Sequence, residues 1–243
     1  MDSIEHELEW TEERLERFWS YWGDRVHTYF AESFGPQIID RTAGGVALGA
    51  LCVDYGCGSG GLTAALLNQG FKVWAVDYAR KSVEAVARRF ADEKDFLGAF
   101  TVADLRQMDF QKADLVYSVE TIEHVLGEQL GDYFANIRYL LKSDGKVIFS
   151  TPNNEDIEAA KVFCPESGAV FHPMQHIRSF DESAIEALIE AHGLTPEHTF
   201  ITDFGISLTT TPKRWLADKG KRFLSMGMPP PHLVCIASAS GSV

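Results

Sequence analysis

Short apolar runs alternate with amphipathic stretches from residue 50 onward, and this alternation predicts strands followed by helices. The predicted strands are Leu51–Tyr55, Lys72–Asp77, Ala99–Ala103, Asp114–Val119 and Val147–Ser150. The helices predicted between them are Gly60–Asn68, Lys81–Phe90 and Leu130–Leu141. Because these strands are apolar throughout, both faces of the sheet should be covered. The pattern therefore predicts an α/β fold in which a mostly parallel sheet carries helices on both faces.

The C-terminal part of the chain predicts one more helix and two closing strands. The helix is expected over Glu182–Ala191, and the strands over Thr199–Phe204 and Leu233–Ala237. A basic segment between the two strands, Thr211–Arg222, is predicted to be helical. The chain shows no repeats or low-complexity linkers, so we expect a single domain over residues 1–243.

Residues 1–42 form an N-terminal segment that is helical in character and unusually rich in aromatic residues. One helix face carries apolar residues at i, i+3, i+4 and i+7, namely Leu15, Phe18, Trp19 and Trp22. Two roles fit this segment: a helix packed on the domain, or a helical lid over a ligand pocket. As a lid, the segment would close the pocket with Trp22, His27 and Tyr29.

Composition and charge narrow the class of protein. The chain has 243 residues, of which 45% are hydrophobic, and this suits a globular protein with a real core. The formal charge of −13 disfavours nucleic acid as a partner. The four cysteines show no metal-binding spacing, no secretion signal is visible, and no apolar run approaches the ~20 residues of a membrane helix. A cytoplasmic protein without a membrane span is therefore expected.

A glycine-rich turn follows the first predicted strand. Asp54 lies at the strand end, and Gly56, Gly58 and Gly60 follow it just before a helix. A ligand lying across the carboxyl end of the strand needs glycine there, because a side chain would block its approach. The second strand ends in Asp77, 23 residues after Asp54, where a carboxylate can accept hydrogen bonds from two ribose hydroxyls.

These residues resemble the class I S-adenosylmethionine-dependent methyltransferases in order and spacing over residues 45–240. The resemblance implies a Rossmann-like sheet of seven strands, the last antiparallel, and S-adenosylmethionine as the cofactor. It also implies that Asp104 accepts from the adenine amine and that Tyr78 lies against the adenine. The predicted cofactor-binding residues are Asp54, Gly56, Cys57, Gly58, Gly60, Asp77, Tyr78, Asp104, Leu105, Val119 and Tyr29.

Hydride transfer with a dinucleotide is the alternative that the glycine turn alone leaves open. A dinucleotide needs a GxGxxG or GxGxxA turn for its pyrophosphate, whereas this turn is GxGxG. Asp54 would stand near that pyrophosphate anion, but it suits a zwitterionic amino acid and a cationic sulfonium. Methyl transfer is therefore the better interpretation.

The fourth strand is followed by Glu-x-x-Glu-His, formed by Glu120, Glu123 and His124. This run resembles ubiquinone-biosynthesis O-methyltransferases and also the metal-dependent enzymes that methylate the 3′-terminal ribose of small RNA. The second resemblance implies a divalent metal bound by Glu120, Glu123, His124 and a downstream histidine. His172 and His176 are the candidates for that histidine, and His176 is preferred. Carboxylates with imidazole suit Zn²⁺, Mn²⁺ or Fe²⁺. Without a metal, these groups would line the pocket or pack.

Three histidines are candidates for general base catalysis, since an imidazole titrates near neutral pH. They are His124, His172 and His176. His172 and His176 stand four residues apart, whereas the RNA enzymes place two histidines three apart. This departure, together with the acidic charge, weakens the comparison with the RNA enzymes.

The sequence therefore predicts methyl transfer from S-adenosylmethionine to a small molecule, at a hydroxyl oxygen rather than at nitrogen or carbon. Metal-dependent 2′-O-methylation of an RNA 3′ end is one alternative. A catalytically silent cofactor-binding module that serves a partner protein is the other. The oligomeric state and the identity of the acceptor stay open.

Overall fold

The computed structural model describes residues 5–23, 25, 29–107, 110–206 and 231–239. Its strands are β1 (His6–Glu7), β2 (Leu51–Tyr55), β3 (Lys72–Asp77), β4 (Phe96–Thr101), β5 (Ala113–Val119), β6 (Leu141–Pro152), β7 (Val162–Phe163), β8 (Ala169–Phe171), β9 (Leu194–Thr202) and β10 (His232–Ala239). Its helices are α1 (Glu12–Trp22), α2 (Phe30–Thr42), α3 (Gly61–Asn68), α4 (Arg80–Arg89), α5 (Leu130–Leu140), α6 (Ile157–Ala160) and α7 (Glu182–Ala191). The predicted helix at 211–222 and His27 lie outside the described residues.

Seven strands form the main sheet in the order β4-β3-β2-β5-β6-β10-β9. Strand β10 is antiparallel to both of its neighbours, and the other pairings are parallel. The chain runs from β2 outward to β4 and then returns to β5 on the other side. The strand order therefore reverses between β2 and β5, and ligands of open α/β sheets bind at the carboxyl ends of the strands at this position.

Helices cover both faces of this sheet, as the apolar strands predict. Helices α5 and α7 pack on one face through residues such as Phe134 and Ile185, which are fully buried. Helices α2 and α3 pack on the opposite face through residues such as Ile38 and Leu62. The predicted fold class, a Rossmann-like seven-stranded and mostly parallel sheet, is confirmed.

Several strand boundaries differ from the prediction, by the most residues in β4, β6 and β9. Strand β4 ends at Thr101 because the following residues turn, with the Asp104 amide donating to the Thr101 carbonyl. Strand β6 already begins at Leu141, because Leu141 pairs with Ala113 of β5. The pairing then skips residues 142–145 and resumes at Lys146. Strand β9 begins at Leu194 and tolerates Pro196 because it lies at the sheet edge, where a missing amide donor costs little.

A second, small sheet was not predicted. Strand β8 pairs in parallel with β1 and antiparallel with β7, so β1 is tied to the segment after β6. None of the helices in the described part of the chain combines the length and apolarity needed to cross a bilayer.

Candidate active site

A cavity of about 580 Å³ opens where the strand order reverses, at the carboxyl ends of β2, β3 and β5. Of the predicted cofactor-binding residues, eight line this cavity: Tyr29, Asp54, Gly56, Cys57, Gly58, Asp77, Tyr78 and Val119. At the other end of the cavity the lining includes Glu120, His124 and His176. The structure therefore brings the glycine turn and the histidine-bearing segments to one continuous space.

The glycine turn has a backbone that disfavours larger residues. Gly56 and Gly58 both have positive φ, 87° and 51°. A Cβ at Gly58 would lie 2.5 Å from the Tyr29 ring, and a Cβ at Gly56 would lie 2.3 Å from the Thr121 hydroxyl oxygen. Tyr29 thus packs directly over the turn, and glycine is required both for conformation and for close approach.

Asp77 helps to build this turn. One carboxylate oxygen accepts from the Gly58 amide and the other from the Ala79 amide, each at 2.8 Å. Burial raises the pKa of Asp77, and the backbone hydrogen bonds oppose that shift. Each carboxylate oxygen has a second lone pair, so the side chain still has acceptor capacity toward the cavity.

Replacing Asp77 with asparagine should weaken binding of S-adenosylmethionine by about 1.5–3 kcal/mol, or roughly 10- to 150-fold. The amide group cannot accept at both positions, so the turn loses one hydrogen bond and the ribose loses its charged acceptor. Calorimetric titration would measure this. Asp144→Asn makes the same charge change at an exposed position and should leave affinity unaltered. An equal affinity in the two variants would place the ribose elsewhere.

Asp54 lies beneath the turn and is almost fully buried. The Thr63 hydroxyl donates to its Oδ2 at 2.7 Å. Burial raises the pKa of Asp54 to about 7. The carboxyl group is therefore close to half-protonated at neutral pH, and a cation bound beside it would favour the ionised form.

Three predicted cofactor residues do not line the cavity. Gly60 caps the start of α3, and Leu105 is fully buried in the core. Asp104 accepts from the Thr101 hydroxyl at 2.6 Å, and Val102 lines the cavity in this region. Asp104 lies off the cavity because β4 ends early, and the turn that follows directs its side chain back onto the strand end.

Glu123 lies beside His124, near the end of the cavity away from the glycine turn. It is fully buried, and its carboxyl oxygens have no hydrogen bond of ordinary geometry among the described residues, with the Thr151 side chain as the nearby polar group. Burial, followed by the nearby Glu120, raises the pKa of Glu123 well above its ordinary value. Its Oε1 lies 3.9 Å from His124 Nε2. Glu123, His124 and His176 offer ligand atoms that all lie within 4.8 Å of one another.

The predicted metal ligand Glu120 stands apart from that group. Its carboxylate accepts from the Ser150 hydroxyl at 2.9 Å and lies 3.6 Å from His232 Nδ1. Glu120 also has a positive φ of 47°, which is uncommon outside glycine and often marks a functional position. The structure brings together three of the four predicted ligands, Glu123, His124 and His176.

The three candidate histidines have different surroundings. Burial, with His176 as a second cause, lowers the pKa of His124 to about 3, so its ring is neutral and a weak base. His172 is buried, and it does not line the cavity that holds the glycine turn. His176 lines that cavity, and its Nδ1 lies 2.5 Å from a carboxylate oxygen of Glu155. Of the three, His176 has the geometry of a general base.

Glu155 is a residue that the sequence did not reveal. It lies between β6 and α6, and its second oxygen is 3.3 Å from His172 Nε2. The only hint was its position shortly after the fifth predicted strand, at the edge of the sheet where ligands of such folds bind.

Helix α1 forms one wall of the cavity. Glu12, Leu15, Trp19 and Trp22 contribute to the lining. The Trp19 ring packs edge-on against His124 with centroids 4.8 Å apart, and its Nε1 donates to the Gln175 side chain at 3.0 Å. The N-terminal segment therefore contacts the same loop that carries His176.

Comparison with known proteins identifies relatives. Residues 14–199 match the family model described as a methyltransferase domain. A ubiquinone biosynthesis O-methyltransferase from Rickettsia typhi is 32% identical over 102 residues, which cover 42% of this chain and 40% of that protein. The corresponding protein from Coxiella burnetii is 32% identical over 103 residues and is covered to 43%. The chain thus spans about two fifths of the curated relatives it matches.

Solved structures share the fold. The Burkholderia thailandensis 1,6-didemethyltoxoflavin-N1-methyltransferase, with bound 1,6-didemethyltoxoflavin and S-adenosylhomocysteine, aligns with a TM-score of 0.58 at 20% identity. That alignment covers 94% of this chain and 87% of the other. An S-adenosylmethionine-dependent methyltransferase from Clostridium acetobutylicum aligns with a TM-score of 0.61 at 15% identity, covering 93% and 99%. With the family model spanning most of the sequence, the chain belongs to the S-adenosylmethionine-dependent methyltransferase family.

Proposed function

We propose that this protein transfers the methyl group of S-adenosylmethionine to a hydroxyl oxygen of a small molecule. The observation that carries this proposal is the single cavity that reaches from the glycine turn to His124 and His176. Its volume of about 580 Å³ lies within the usual range for small-molecule sites, ~300–1,000 Å³. Cofactor and acceptor would therefore share one continuous space. The O-methyltransferase names of the curated relatives support oxygen as the acceptor atom.

At the cofactor end, each residue has a proposed task. The Asp77 carboxylate accepts from the ribose hydroxyls, and the half-exposed Tyr78 ring lies against the adenine. Asp54 provides negative charge on the side of the amino-acid moiety and the sulfonium. The aromatic groups of Tyr29 and Trp22 cover the cofactor from the N-terminal side and reduce the access of water.

At the acceptor end, catalysis relies on alignment and on proton removal. The acceptor oxygen attacks the methyl carbon in line with the departing sulfur, which leaves as a thioether. The hydroxyl proton passes to Nε2 of His176, whose other nitrogen is hydrogen-bonded to Glu155. His124 is too weak a base for this step, and His172 does not face the cavity.

The charge of the cavity wall limits the acceptor. The described lining contains no lysine or arginine. Its acidic members are Glu12, Asp54, Asp77, Glu120 and Asp132. An anionic acceptor would be repelled here, so we propose that the acceptor is uncharged or cationic. A phosphate-bearing RNA end fits this wall poorly.

A divalent metal is a second candidate for the acceptor end. The buried carboxyl of Glu123, which has no hydrogen bond of ordinary geometry among the described residues, favours it. One carboxylate and two imidazoles suit Zn²⁺, Mn²⁺ or Fe²⁺, so Glu123, His124 and His176 would hold the ion. When bound there, the metal would lower the pKa of the acceptor hydroxyl. The neutral ring of His124 suits it to binding an ion.

A transfer assay tests the proposed function. Cofactor carrying a radiolabelled methyl group is incubated with phenols, catechols and aliphatic alcohols, with a phosphorylated analogue of each, and with a small RNA. We expect label on uncharged hydroxyl compounds, and kcat/KM at least about 10-fold lower for each phosphorylated analogue, because the wall repels anions. Transfer confined to RNA or to phosphorylated acceptors would overturn the proposal.

A further inference from the structure

Glu155 connects two histidine rings beside the cavity. Its Oε2 lies 2.5 Å from His176 Nδ1, and its Oε1 lies 3.3 Å from His172 Nε2. The two rings stack with centroids 4.3 Å apart and planes 17° from parallel. The side chains of both histidines are nearly buried, whereas about a quarter of the Glu155 side chain is exposed to solvent. The carboxylate thus has one imidazole nitrogen against each of its oxygens.

Backbone groups determine which nitrogen of His172 carries the proton. Its Nδ1 lies 3.3 Å from the Met174 amide and 3.2 Å from the His176 amide. Both amides are donors, so Nδ1 must present a lone pair to them. A ring nitrogen that accepts from amides carries no proton, so the ring is neutral by its hydrogen bonds alone. Its single proton therefore sits on Nε2 and is donated to Glu155.

This tautomer bears on metal binding. Glu155, His172 and His176 form a second group whose ligand atoms lie close together. A metal at His172 Nε2 would require that nitrogen to lose its proton while Nδ1 still accepts from two amides. The neutral ring cannot do both. Glu155 is thus an acceptor between two imidazole donors and not part of a cation site.

We propose that Glu155 is a positioning residue: it holds the proton of His176 on Nδ1 and leaves a lone pair on Nε2 facing the cavity. His172 supports this role by donating a hydrogen bond to the other oxygen of Glu155. The carboxylate can only accept, so His176 must donate to it through Nδ1. This inference rests on the proposed function, because it supplies the lone pair that methyl transfer or metal binding needs from His176. A partner that fixes the tautomer of a functional histidine is a recurring device in both settings.

The surrounding loop keeps this arrangement in place. Gln175 is fully buried with a positive φ of 61°. Its side chain donates to the His124 carbonyl and accepts from Trp19 Nε1, both at 3.0 Å. The four-residue separation of His172 and His176 lets both rings reach the same carboxylate. This gives a physical reason for the spacing that departs from the RNA enzymes.

The substitution Glu155→Gln should create a conflict. Because two backbone amides donate to Nδ1 of His172, its proton stays on Nε2 and needs an acceptor. The oxygen of the introduced amide group would therefore turn toward His172. The NH₂ of that amide would then face Nδ1 of His176 and favour the opposite tautomer, with the proton on Nε2. We therefore expect Glu155→Gln to lower kcat at least about 10²-fold while the affinity for the cofactor changes less than about threefold.

The direct test is long-range ¹H–¹⁵N NMR of histidine-labelled protein, treated with chelator and without acceptor, with signals assigned through single histidine variants. In the wild type we expect His176 protonated on Nδ1 and His172 on Nε2. In Glu155→Gln we expect the His176 pattern to shift toward Nε2–H. Glu158→Gln, an exposed glutamate on the same segment, should leave both patterns unchanged.

The outcomes separate the two proposals. Wild-type His176 with its proton on Nε2, or an unaltered His176 pattern in Glu155→Gln, would overturn the positioning role. If Glu155→Gln does not fold, the wild-type spectrum alone tests the positioning role, which requires His176 protonated on Nδ1 and His172 on Nε2. The NMR measurement needs no acceptor, so a failure of methyl transfer with the predicted tautomers present would count against the proposed function and leave the role of Glu155 intact.

Discussion

Replacing His176 with glutamine is expected to lower kcat for methyl transfer by about 10²- to 10⁴-fold, the range over which a positioned acid or base usually contributes. His176 lines the cavity, and its Nδ1 is engaged by Glu155, so Nε2 is the nitrogen available to the acceptor. Glutamine keeps the polarity and loses the basic nitrogen. Steady-state kinetics with saturating cofactor would measure the change.

The matched control for this variant is His198→Gln, because His198 is exposed on β9. It should retain wild-type kcat. Both variants should bind S-adenosylmethionine as the wild type does, since neither residue lies at the glycine turn. A His176→Gln enzyme with full activity would remove His176 from the mechanism.

Chelation distinguishes the two proposed tasks of His176. If Nε2 takes the proton, treatment with a strong chelator should leave kcat unchanged. If Glu123, His124 and His176 bind an ion, activity should be lost and then restored by Zn²⁺, Mn²⁺ or Fe²⁺. In that case Glu123→Gln should also abolish restoration, because the buried carboxyl supplies the negative ligand.

Replacing Asp54 with asparagine is expected to stabilise the protein at alkaline pH. Burial raises the pKa of Asp54 to about 7 from an ordinary value of 3.8. The unfolded chain therefore ionises first, and the free energy of unfolding of the wild type falls as the pH rises from about 4 to about 7. A pKa difference of this size lowers the free energy of unfolding of the wild type at pH 8 by on the order of 4 kcal/mol, relative to its value below pH 4. Asparagine removes that cost and can still accept from Thr63.

Chemical denaturation at pH 4.5, 6 and 8 would measure this effect. The difference in unfolding free energy between Asp54→Asn and wild type should be small at pH 4.5 and increase through pH 6 to pH 8. Asp144→Asn, at an exposed position, should show no such trend. The stabilised variant should bind S-adenosylmethionine more weakly, because it lacks the negative charge near the cation. A difference that does not depend on pH would show that Asp54 is not buried as described.

The local patterns of the sequence predicted the sheet well, and they predicted that the glycine turn and Asp77 lie together. Apolar strands alternating with amphipathic helices determine a parallel sheet with two covered faces, and the reversal between β2 and β5 follows from chain connectivity. The glycine turn and Asp77 meet in the structure because they end neighbouring parallel strands. Strand ends depend on the turns that follow them, and the early end of β4 explains why Asp104 lies off the cavity.

The acceptor end could be predicted only in part. Glu123 and His124 follow a strand directly, so their position near the cavity could be inferred from the sequence. The tautomers of His172 and His176 depend on Glu155 and on backbone amides in a loop, and no periodicity encodes such contacts. Three histidines that look equivalent in the sequence therefore have three different surroundings.

Calorimetric titration of the protein with S-adenosylmethionine and with S-adenosylhomocysteine tests the central claim most directly. We predict that both bind at one site per chain with dissociation constants below roughly 0.1 mM. We also predict that Gly58→Val abolishes binding, because a side chain there would overlap Tyr29 and the ligand. Absence of binding to the wild type at about 0.5 mM of either ligand would contradict the assignment of the glycine turn as the cofactor site.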